Sequence, residues 1–480
     1  MAGRFLSVFE PFSRVMLEVK RPERRVGFNE KLFWTGLALV LYLVMTVVPL
    51  YGIEAGAEGD PFQYLRVIFA SQRGTLMELG IGPIVTAGLI LQLLAGSGMI
   101  GCNFSDPKDR ELFTVASKFF SFVLIGVQAS AYIIGGVYGA LDPRAAIFVF
   151  VQLMIAGLVL ILLDEMIQKG WGFGSGISLF ILAGVAQSVL WDTLSPIFPA
   201  PGESPPNYYG AIPALIYSAL NGLLTLQNAF VRTPSHLPAL LGLFTTITVF
   251  LIVIYFEGIR VELPISHASY RGYRGRYPIK LLYVSNLPVI FASALFANVY
   301  FISQLLWSNY NQTNTNFWLN LIGMYVPGTE GQGATPVGGL VYYVIAPRSI
   351  SDVIASPLRA LVFAGIMVGF CIVFSLTWLE VGGLGPSTVA KQLVDAGMQI
   401  PGFRRSGKPI EMVLKRYIPT VTVLGGALVG LIAAVADFFG VFGTGMGILL
   451  SVGILYQYYQ ILMQERVAEM YPAIRRFFGG

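Results

Sequence analysis

Ten apolar runs of bilayer-spanning length constrain this chain of 480 residues more than any other feature. An α-helix rises about 1.5 Å per residue, so roughly 20 apolar residues cross a hydrocarbon core of about 30 Å. Apolar residues make up 55% of the sequence and charged residues 12%, as is typical of polytopic helical membrane proteins. The predicted spans are residues 33–52, 76–96, 113–137, 146–166, 174–191, 239–257, 285–306, 355–379, 417–436 and 441–463.

The distribution of basic residues predicts the orientation of these spans. With a cytosolic N-terminus, most of the 31 Lys and Arg residues fall in cytosolic segments, and few fall on the opposite side. This asymmetry is the positive-inside pattern. The main cytosolic segments are then 1–32, 258–284, 380–416 and 464–480, whereas the opposite side keeps Arg66, Arg73, Arg144, Arg232 and Arg348.

The apolar stretch 211–226 is a near miss as an eleventh span. If it crossed the membrane, every later loop would change sides and the charge asymmetry would disappear. We therefore expect residues 192–238 to form one long non-cytosolic loop, in which a helix over 211–226 lies at the membrane interface.

Five spans precede the loop 192–238 and five follow it, so the second half enters the membrane from the opposite side. This count predicts an inverted-topology repeat, in which residues 33–191 and 239–463 form two five-helix halves around a central pore. No residue-level similarity between the halves is evident, so this prediction rests on the number of spans. The expected fold class is an all-α polytopic membrane protein with ten transmembrane helices.

Residues 60–94 depart from the pattern of an ordinary span. The apolar helix predicted over 62–73 is too short to cross the bilayer. Gly74 interrupts it, and residues 75–78 have the sequence of a capping box that would start a second helix. Broken helices are tolerated at membrane depth only where the backbone is buried in protein or lines a cavity. We therefore expect a re-entrant plug helix over about 60–73, followed by a pore wall.

Two of the cytosolic loops carry clustered positive charge. The clustered arginines are Arg271, Arg274 and Arg276 in loop 258–284, and Arg404 and Arg405 in loop 380–416. Guanidinium groups next to aromatic rings suit the phosphates and bases of folded RNA. The same residues would also orient the loops and attract anionic lipid, worth about 1 kcal/mol for each basic residue near the surface. Composition alone favours this second interpretation.

Several short motifs occur in order from the N-terminal segment to the seventh span. They include Arg73-Gly74-Thr75-Leu76-Met77-Glu78-Leu79-Gly80, Gly174-Ser175-Gly176-Ile177-Ser178-Leu179-Phe180, Tyr277-Pro278-Ile279-Lys280-Leu281 and Ser285-Asn286-Leu287-Pro288. Together they resemble the α subunit of SecY-type protein-conducting channels, and they are more similar to its eukaryotic endoplasmic-reticulum form than to the bacterial one. The number and spacing of the later spans extend this resemblance over nearly the whole chain.

The resemblance implies an hourglass pore that is closed by a plug, here residues 60–73. It also implies a constriction ring of aliphatic side chains, which dewets when the pore is empty and offers a moving chain no fixed polar partner. Read without the family, each of these residues is more often a packing residue in a chain this apolar. The ring positions would be Ile81, Val85, Ile177, Ile181, Ile290 and Leu450.

The resemblance further implies a side exit to lipid between the second, third, seventh and eighth spans. Thr86, Gln128 and Asn298 occupy the matching gate positions. Polar side chains inside spans usually hold helices together with about 0.6–2 kcal/mol. Contacts of this strength are weak enough for a hydrophobic signal sequence to replace them.

Three charged residues match family positions that are linked with the orientation of signal sequences. They are Arg66 and Arg73 on the plug and Glu380 at the cytosolic end of the eighth span. As isolated residues, Glu380 is more often a helix-end carboxylate, and Arg66 is a charge that keeps a short helix from spanning.

The implied partners are the ribosome with its RNA at the basic loops, signal sequences and nascent polypeptides, and two small single-span β and γ subunits. Post-translational translocation partners, a lumenal chaperone and membrane lipid are also expected. No metal or cofactor is implied. The expected location is the endoplasmic reticulum membrane, with both termini in the cytosol.

Two other classes of function compete with this interpretation. An enzyme is not expected, because His236 and His267 lie in loops and no HExxH or GxSxG motif is present. A ten-span secondary transporter for a small solute is the alternative, since inverted repeats and broken helices also describe that class. Transporters normally need ionisable groups near the bilayer midplane. The acidic residues here lie at or near span ends, as Asp164 and Asp437 illustrate.

Overall fold

The protein is described from a computed structural model. The residues that the structure describes are 4–12, 16–53, 66, 69–96, 99–100, 107–135, 137–138, 141–198, 206–222, 225, 230, 232, 237–267, 274–282, 284, 287–326, 334–347, 349–395, 398–399 and 407–470.

Helices dominate the described part of the chain. In chain order they are α1 Arg4–Ser7, α2 Phe28–Val47, α3 Gly82–Gly96, α4 Pro107–Ile134, α5 Pro143–Met166, α6 Gly176–Leu194, α7 Ala211–Leu220, α8 Leu240–Gly258, α9 Leu287–Tyr310, α10 Phe317–Ile322, α11 Leu340–Val344, α12 Ile350–Ala355, α13 Pro357–Val381, α14 Pro386–Asp395, α15 Gly407–Phe438 and α16 Gly445–Met470. Within the described residues, nine are long and apolar enough to cross a membrane: α2, α4, α5, α6, α8, α9, α13, α15 and α16.

The second predicted span is the short member of the set. Helix α3 has 15 residues and begins at Gly82, whereas residues 75–81 form turns. The capping box predicted at residues 75–78 is therefore wrong. Two features keep residues 75–81 from forming the first turns of the helix. The Glu78 carboxylate forms an ion pair with Arg66, and Gly80 adopts a left-handed φ of 54°.

The plug helix predicted over 62–73 is also too long. Arg66 is helical, but Phe69 and Ala70 form a turn, and Ala70 has a φ of 50° that no α-helix contains. The helix therefore ends before Phe69. Residues 54–65, where the predicted plug begins, lie outside the described residues.

Two further boundaries differ from the predictions. The helix expected over 211–226 stops at Leu220, and Gly222 follows with a left-handed φ of 69°. Helix α15 begins at Gly407, ten residues before the predicted span, and its 32 residues extend about 48 Å. It is therefore longer than a hydrocarbon core, and its first turns belong to the loop that was predicted over 380–416.

Helices from both halves meet in one large apolar core. The first half contributes α2, α3, α5 and α6, and the second half contributes α8, α9, α13, α15 and α16. Fully buried members include Tyr42, Phe180, Phe363 and Leu449. The two halves are thus packed against each other at the centre of the molecule, which is where a pore between them would lie.

The two basic loops fold together through a small sheet, for which the sequence contained no recognised signal. Strand β1, Arg260–His267, pairs antiparallel with β2, Arg274–Lys280, in a register from Arg260↔Lys280 to Ser266↔Arg274. A second hairpin, β3 Met324–Val326 with β4 Thr335–Gly338, lies in the connection between α9 and α13. A short strand from the second basic loop, β5 Met398–Gln399, pairs with the end of β1.

A separate apolar cluster lies under the first of these sheets. Leu263 of β1 and Ile279 of β2 are buried against Leu393 of α14 and Leu414 and Ile418 of α15. The first basic loop and the second therefore form one packed unit, although about 100 residues separate them in the sequence.

Candidate pore, plug and side gate

The six predicted ring positions all belong to the central core. Ile81, Ile181 and Leu450 are at most 1% exposed, and Val85 is 8% exposed. Ile177 and Ile290 are half-buried and pack against the same cluster. Five of the six lie on α3, α6, α9 and α16, while Ile81 lies in the turn just before α3. The structure thus brings together aliphatic side chains from four helices of both halves.

A turn at Phe69 and Ala70 is fixed against this aliphatic group. The backbone N–H of Ile81 donates to the carbonyl oxygen of Phe69 at 2.8 Å, and the hydroxyl of Tyr42 donates to that of Ala70 at 3.1 Å. Helix α6 also lies against this turn, because a Cβ added at Gly184 of α6 would lie 3.1 Å from Ala70 Cα. The predicted plug segment therefore ends in a turn that contacts α2, α6 and Ile81.

A buried ion pair connects the plug to the start of α3. Arg66 Nη2 lies 2.7 Å from Glu78 Oε1, and the two side chains are 8% and 0% exposed. The backbone N–H of Gly74 donates to the other carboxylate oxygen of Glu78. Removing one partner of a buried pair leaves an uncompensated charge, which costs about 3–5 kcal/mol. Arg73 is half-buried and forms no ion pair with another described residue.

Glu78 was missed as a site residue, although one signal for it was present. It is a carboxylate inside a predicted span, and such groups are expensive in a membrane unless they are paired. Arg66 and Arg73 were the nearest basic residues in the sequence. Pairing with Glu78 thus explains Arg66 better than a role in keeping a short helix out of the bilayer.

Two of the three predicted gate residues meet. The amide of Asn298 on α9 donates to the hydroxyl oxygen of Thr86 on α3 at 3.1 Å, and to the carbonyl oxygen of Ala294 at 2.7 Å. Gln128 on α4 is half-buried and forms no hydrogen bond with another described residue. The described latch between α3 and α9 is therefore a single side-chain hydrogen bond.

A small cleft beside this latch was not predicted. It lies between α3, α9 and α13, and its lining includes Leu89, Gln92, Phe291, Phe374 and Trp378. Gln92 Oε1 is buried there without a hydrogen-bond partner among the described atoms. Apolar side chains and one unsatisfied polar atom, Gln92 Oε1, thus meet where α3, α9 and α13 come together.

The predicted RNA-contacting residues are only partly described. Arg276 is an exposed residue of β2, and its guanidinium pairs with Glu262 of β1. Arg274 belongs to the same strand, but its side chain lies outside the described part, as do Arg271, Arg404 and Arg405. Glu380 is in the last turn of α13, and its side chain is also outside the described part. For Arg276, the structure shows an exposed arginine on a folded hairpin.

Comparison with known proteins assigns the family. The SecY family model matches residues 75–459, and the model for the plug domain of Sec61p matches residues 40–74. A solved protein-conducting channel is 39% identical, with 97% of this chain and 98% of that chain covered and a TM-score of 0.80. Sec61 in the canine ribosome–channel complex from the endoplasmic reticulum is 38% identical, with coverage of 97% and 98% and a TM-score of 0.78.

A more distant structure belongs to the same group. The yeast Ssh1 complex bound to the yeast 80S ribosome is 27% identical, with 94% of this chain and 93% of that chain covered and a TM-score of 0.76. The two family models together cover residues 40–459. This multi-pass membrane protein therefore belongs to the SecY family of protein-conducting channels, and it is not an enzyme.

Proposed function

We propose that this chain is the pore-forming subunit of a channel that translocates secretory polypeptides across the endoplasmic reticulum membrane and releases hydrophobic segments sideways into lipid. The observation that carries this proposal is the turn at Phe69 and Ala70, which is hydrogen-bonded to Ile81 and Tyr42 in the apolar core that contains the proposed ring residues. Such a ring closes by dewetting around a plug and yields to a chain without binding it. The likeness to Sec61 from the endoplasmic reticulum supports the proposed location.

The proposed channel has two openings, the pore and the side gate, and each opens in response to a different part of one substrate. A hydrophobic signal sequence would enter between α3 and α9, where the Asn298–Thr86 hydrogen bond is the described latch. Burial of one leucine side chain is worth about 1.5–3 kcal/mol, so several partly buried leucines outweigh the roughly 0.6–2 kcal/mol of such a bond. The polar part of the substrate would then displace the plug turn from the ring.

The proposed partners follow from the arrangement of the loops. The two basic loops share one sheet and one apolar cluster, so they present a single surface on which Arg271, Arg274, Arg276, Arg404 and Arg405 would contact ribosomal RNA. Two of the similar structures are bound to ribosomes. That surface would face the cytosol together with both termini. The β and γ subunits, post-translational partners and a lumenal chaperone complete the proposed assembly.

The proposed function is tested by photocrosslinking with probes at Ile290 and Asn298, in microsomes that hold a ribosome-stalled secretory chain. We expect the nascent chain to crosslink at Ile290 and its signal sequence at Asn298. A probe at Leu361 of α13, which is 72% exposed, serves as the control for random contact. Silence at both positions in microsomes that translocate would contradict the channel assignment.

Reversing the charge of Arg276 is expected to weaken ribosome binding. Each lost phosphate contact makes the slope of log affinity against log salt concentration shallower by about 1. We therefore expect the Arg276→Glu channel to bind ribosomes less tightly at low salt, with a difference that shrinks as salt rises. Arg24→Glu is the matched control, because Arg24 is also exposed and paired, in its case with Glu30. Equal affinity and slope in both variants would argue against RNA contact at β2.

Replacing Asn298 by leucine is expected to raise the hydrophobicity that a signal sequence needs for entry. Leucine loses the bond to Thr86, but it adds apolar surface that is buried in the closed gate and faces the watery pore when the gate opens. Asn309→Leu is the control, since Asn309 lies on the same helix and bonds to the carbonyl four residues earlier, but is exposed. The measurement is translocation of a series of signal sequences of graded hydrophobicity. An unchanged threshold would exclude Asn298 from the gate.

A further inference from the structure

The last helix of each half begins with the same short motif. Residues Gly174-Ser175-Gly176 lead into α6, and residues Gly443-Thr444-Gly445 lead into α16. The first glycine of each motif has a left-handed backbone, with φ of 68° and 70°. The third glycine is the first residue of the helix. The two helix starts therefore share a left-handed first glycine and a sequence pattern, whereas the middle residue differs, with φ of −124° at Ser175 and 67° at Thr444.

A buried carboxylate from the preceding helix caps each of these starts. Asp164 Oδ1, near the end of α5, accepts a hydrogen bond from the backbone N–H of Ile177 at 3.0 Å. Asp437 Oδ1, near the end of α15, accepts one from Gly445 at 2.6 Å. Both residues are at most 9% exposed. A carboxylate in this position satisfies a free N–H group and the positive end of the helix dipole.

A threonine from the first helix of each half holds the residue just before the motif. The hydroxyl of Thr35 on α2 accepts from the backbone N–H of Phe173 at 3.0 Å. The hydroxyl of Thr246 on α8 accepts from Phe442, also at 3.0 Å. Each hydroxyl donates to the carbonyl four residues earlier in its own helix, at 2.8 Å and 2.7 Å respectively. The hydrogen bonds of the two halves thus match in both direction and length.

The two motifs also contact corresponding points on each other's helix. A Cβ added at Gly174 would lie 3.1 Å from the ring of Tyr458 on α16, and one at Gly443 would lie 3.2 Å from Val189 on α6. Tyr458 and Val189 each lie thirteen residues after the glycine that begins their helix. The pairing of α6 with α16 is therefore symmetric at the level of single residues.

One difference between the halves has a visible cause. Gly176 lies twelve positions after Asp164, but Gly445 lies only eight positions after Asp437. The first connection contains a π-helical turn, Ile167–Trp171, in which Gly170 adopts a φ of 102°. This turn takes up the extra residues and returns the chain to the same contact with Asp164.

We propose that Asp164 with Thr35, and Asp437 with Thr246, are two equivalent clamps that set the depth and rotation of α6 and α16 and so align the constriction ring. Ile181 and Leu450 each lie five residues after the clamped glycine, so a shift of either helix moves one side of the ring. The four clamp residues are positioning residues, because they touch backbone rather than the proposed path. The inference rests on the proposed function, since it assumes that the ring is the seal.

The test measures resting ion conductance per channel, with the full chain and its co-purifying subunits in planar bilayers. We expect Thr35→Val and Thr246→Val to raise resting conductance by a similar factor of about five, the effect of one lost hydrogen bond of about 1 kcal/mol. Asp164→Ala and Asp437→Ala should each have a larger effect, of about tenfold, and the two asparagine variants a smaller one. Thr248→Val is the matched control, because Thr248 also lies on α8 and donates to the carbonyl four residues earlier, but is exposed.

Conductance and thermal unfolding together distinguish a change in ring alignment from a loss of channel stability. Thermal unfolding is measured on the same samples, and conductance is expressed per folded channel. If the threonine and aspartate variants of both halves leave conductance unchanged and lower only the unfolding temperature, the clamp proposal is overturned. These residues would then only support the structure. An increase confined to one half would overturn their equivalence. If the parent channel itself shows no current on adding a signal peptide, the proposed function is wrong, whereas a parent that responds leaves only the clamps in question.

Discussion

The Glu78→Ala channel is expected to conduct ions at rest and to lose thermal stability. Glu78 is 1% exposed, and its carboxylate both pairs with Arg66 and accepts from the backbone N–H of Gly74. Alanine removes the Glu78 carboxylate from its buried pair with the Arg66 guanidinium, and breaking a buried pair costs about 3–5 kcal/mol. That is a large share of the roughly 5–15 kcal/mol that stabilises a typical domain. The chain relieves the cost most easily by moving Arg66, and with it the plug segment, away from the ring.

Two further variants, compared with Glu78→Ala, separate the effect of the buried charge from the effect of lost packing. Glu30→Ala removes a carboxylate from an exposed pair with Arg24 and should leave conductance unchanged. The double variant Arg66→Met with Glu78→Met replaces the pair by apolar side chains of similar length, and should recover much of the lost stability. Resting current in bilayers and thermal unfolding in detergent measure both effects. A Glu78→Ala channel as tight and as stable as the parent would show that the ion pair does not hold the plug.

Much of the helical framework could be predicted because the length of an apolar run and the asymmetry of charge are properties of long segments. All ten predicted spans correspond to helices. The errors lie where a tertiary contact outweighs a local preference. Residues 75–78 have the pattern of a capping box, but Arg66 takes the Glu78 carboxylate and the helix starts only at Gly82. A local pattern cannot reveal a partner that lies twelve residues earlier.

The site could be predicted only in part, for a related reason. The ring residues were assigned through resemblance to a family, because an isoleucine such as Ile81 or Ile290 looks like any packing residue. The symmetry of the two halves was predicted from the number of spans. Its residue-level form stayed hidden because the matching residues are few and far apart in the sequence, and because Asp164 and Asp437 lie at different distances from the glycine that begins the next helix.

The Gly80→Ala channel is expected to release the plug turn from the ring. Gly80 has a φ of 54°, and a Cβ added there would lie 2.2 Å from the carbonyl oxygen of Phe69 and 2.8 Å from Ser71 Cβ. A side chain in the left-handed region costs about 1–2 kcal/mol by itself. The contact with Phe69 is more serious, because that oxygen belongs to the backbone and also accepts the hydrogen bond from Ile81. The turn must move, and the bond that fixes it to the ring must lengthen.

Gly74→Ala is the control that isolates this contact from backbone strain. Gly74 also has a left-handed φ, of 68°, but a Cβ there meets nothing within 4 Å. Both variants therefore carry the conformational cost, and only Gly80→Ala adds the clash. We expect a modest loss of thermal stability in Gly74→Ala, and a larger loss with raised resting conductance in Gly80→Ala. Equal behaviour of the two variants would mean that backbone strain alone is being measured, and that the Phe69 turn adjusts without opening the pore. A leak confined to Gly80→Ala would instead identify the hydrogen bond between Ile81 and Phe69 as the point where the plug is held to the ring.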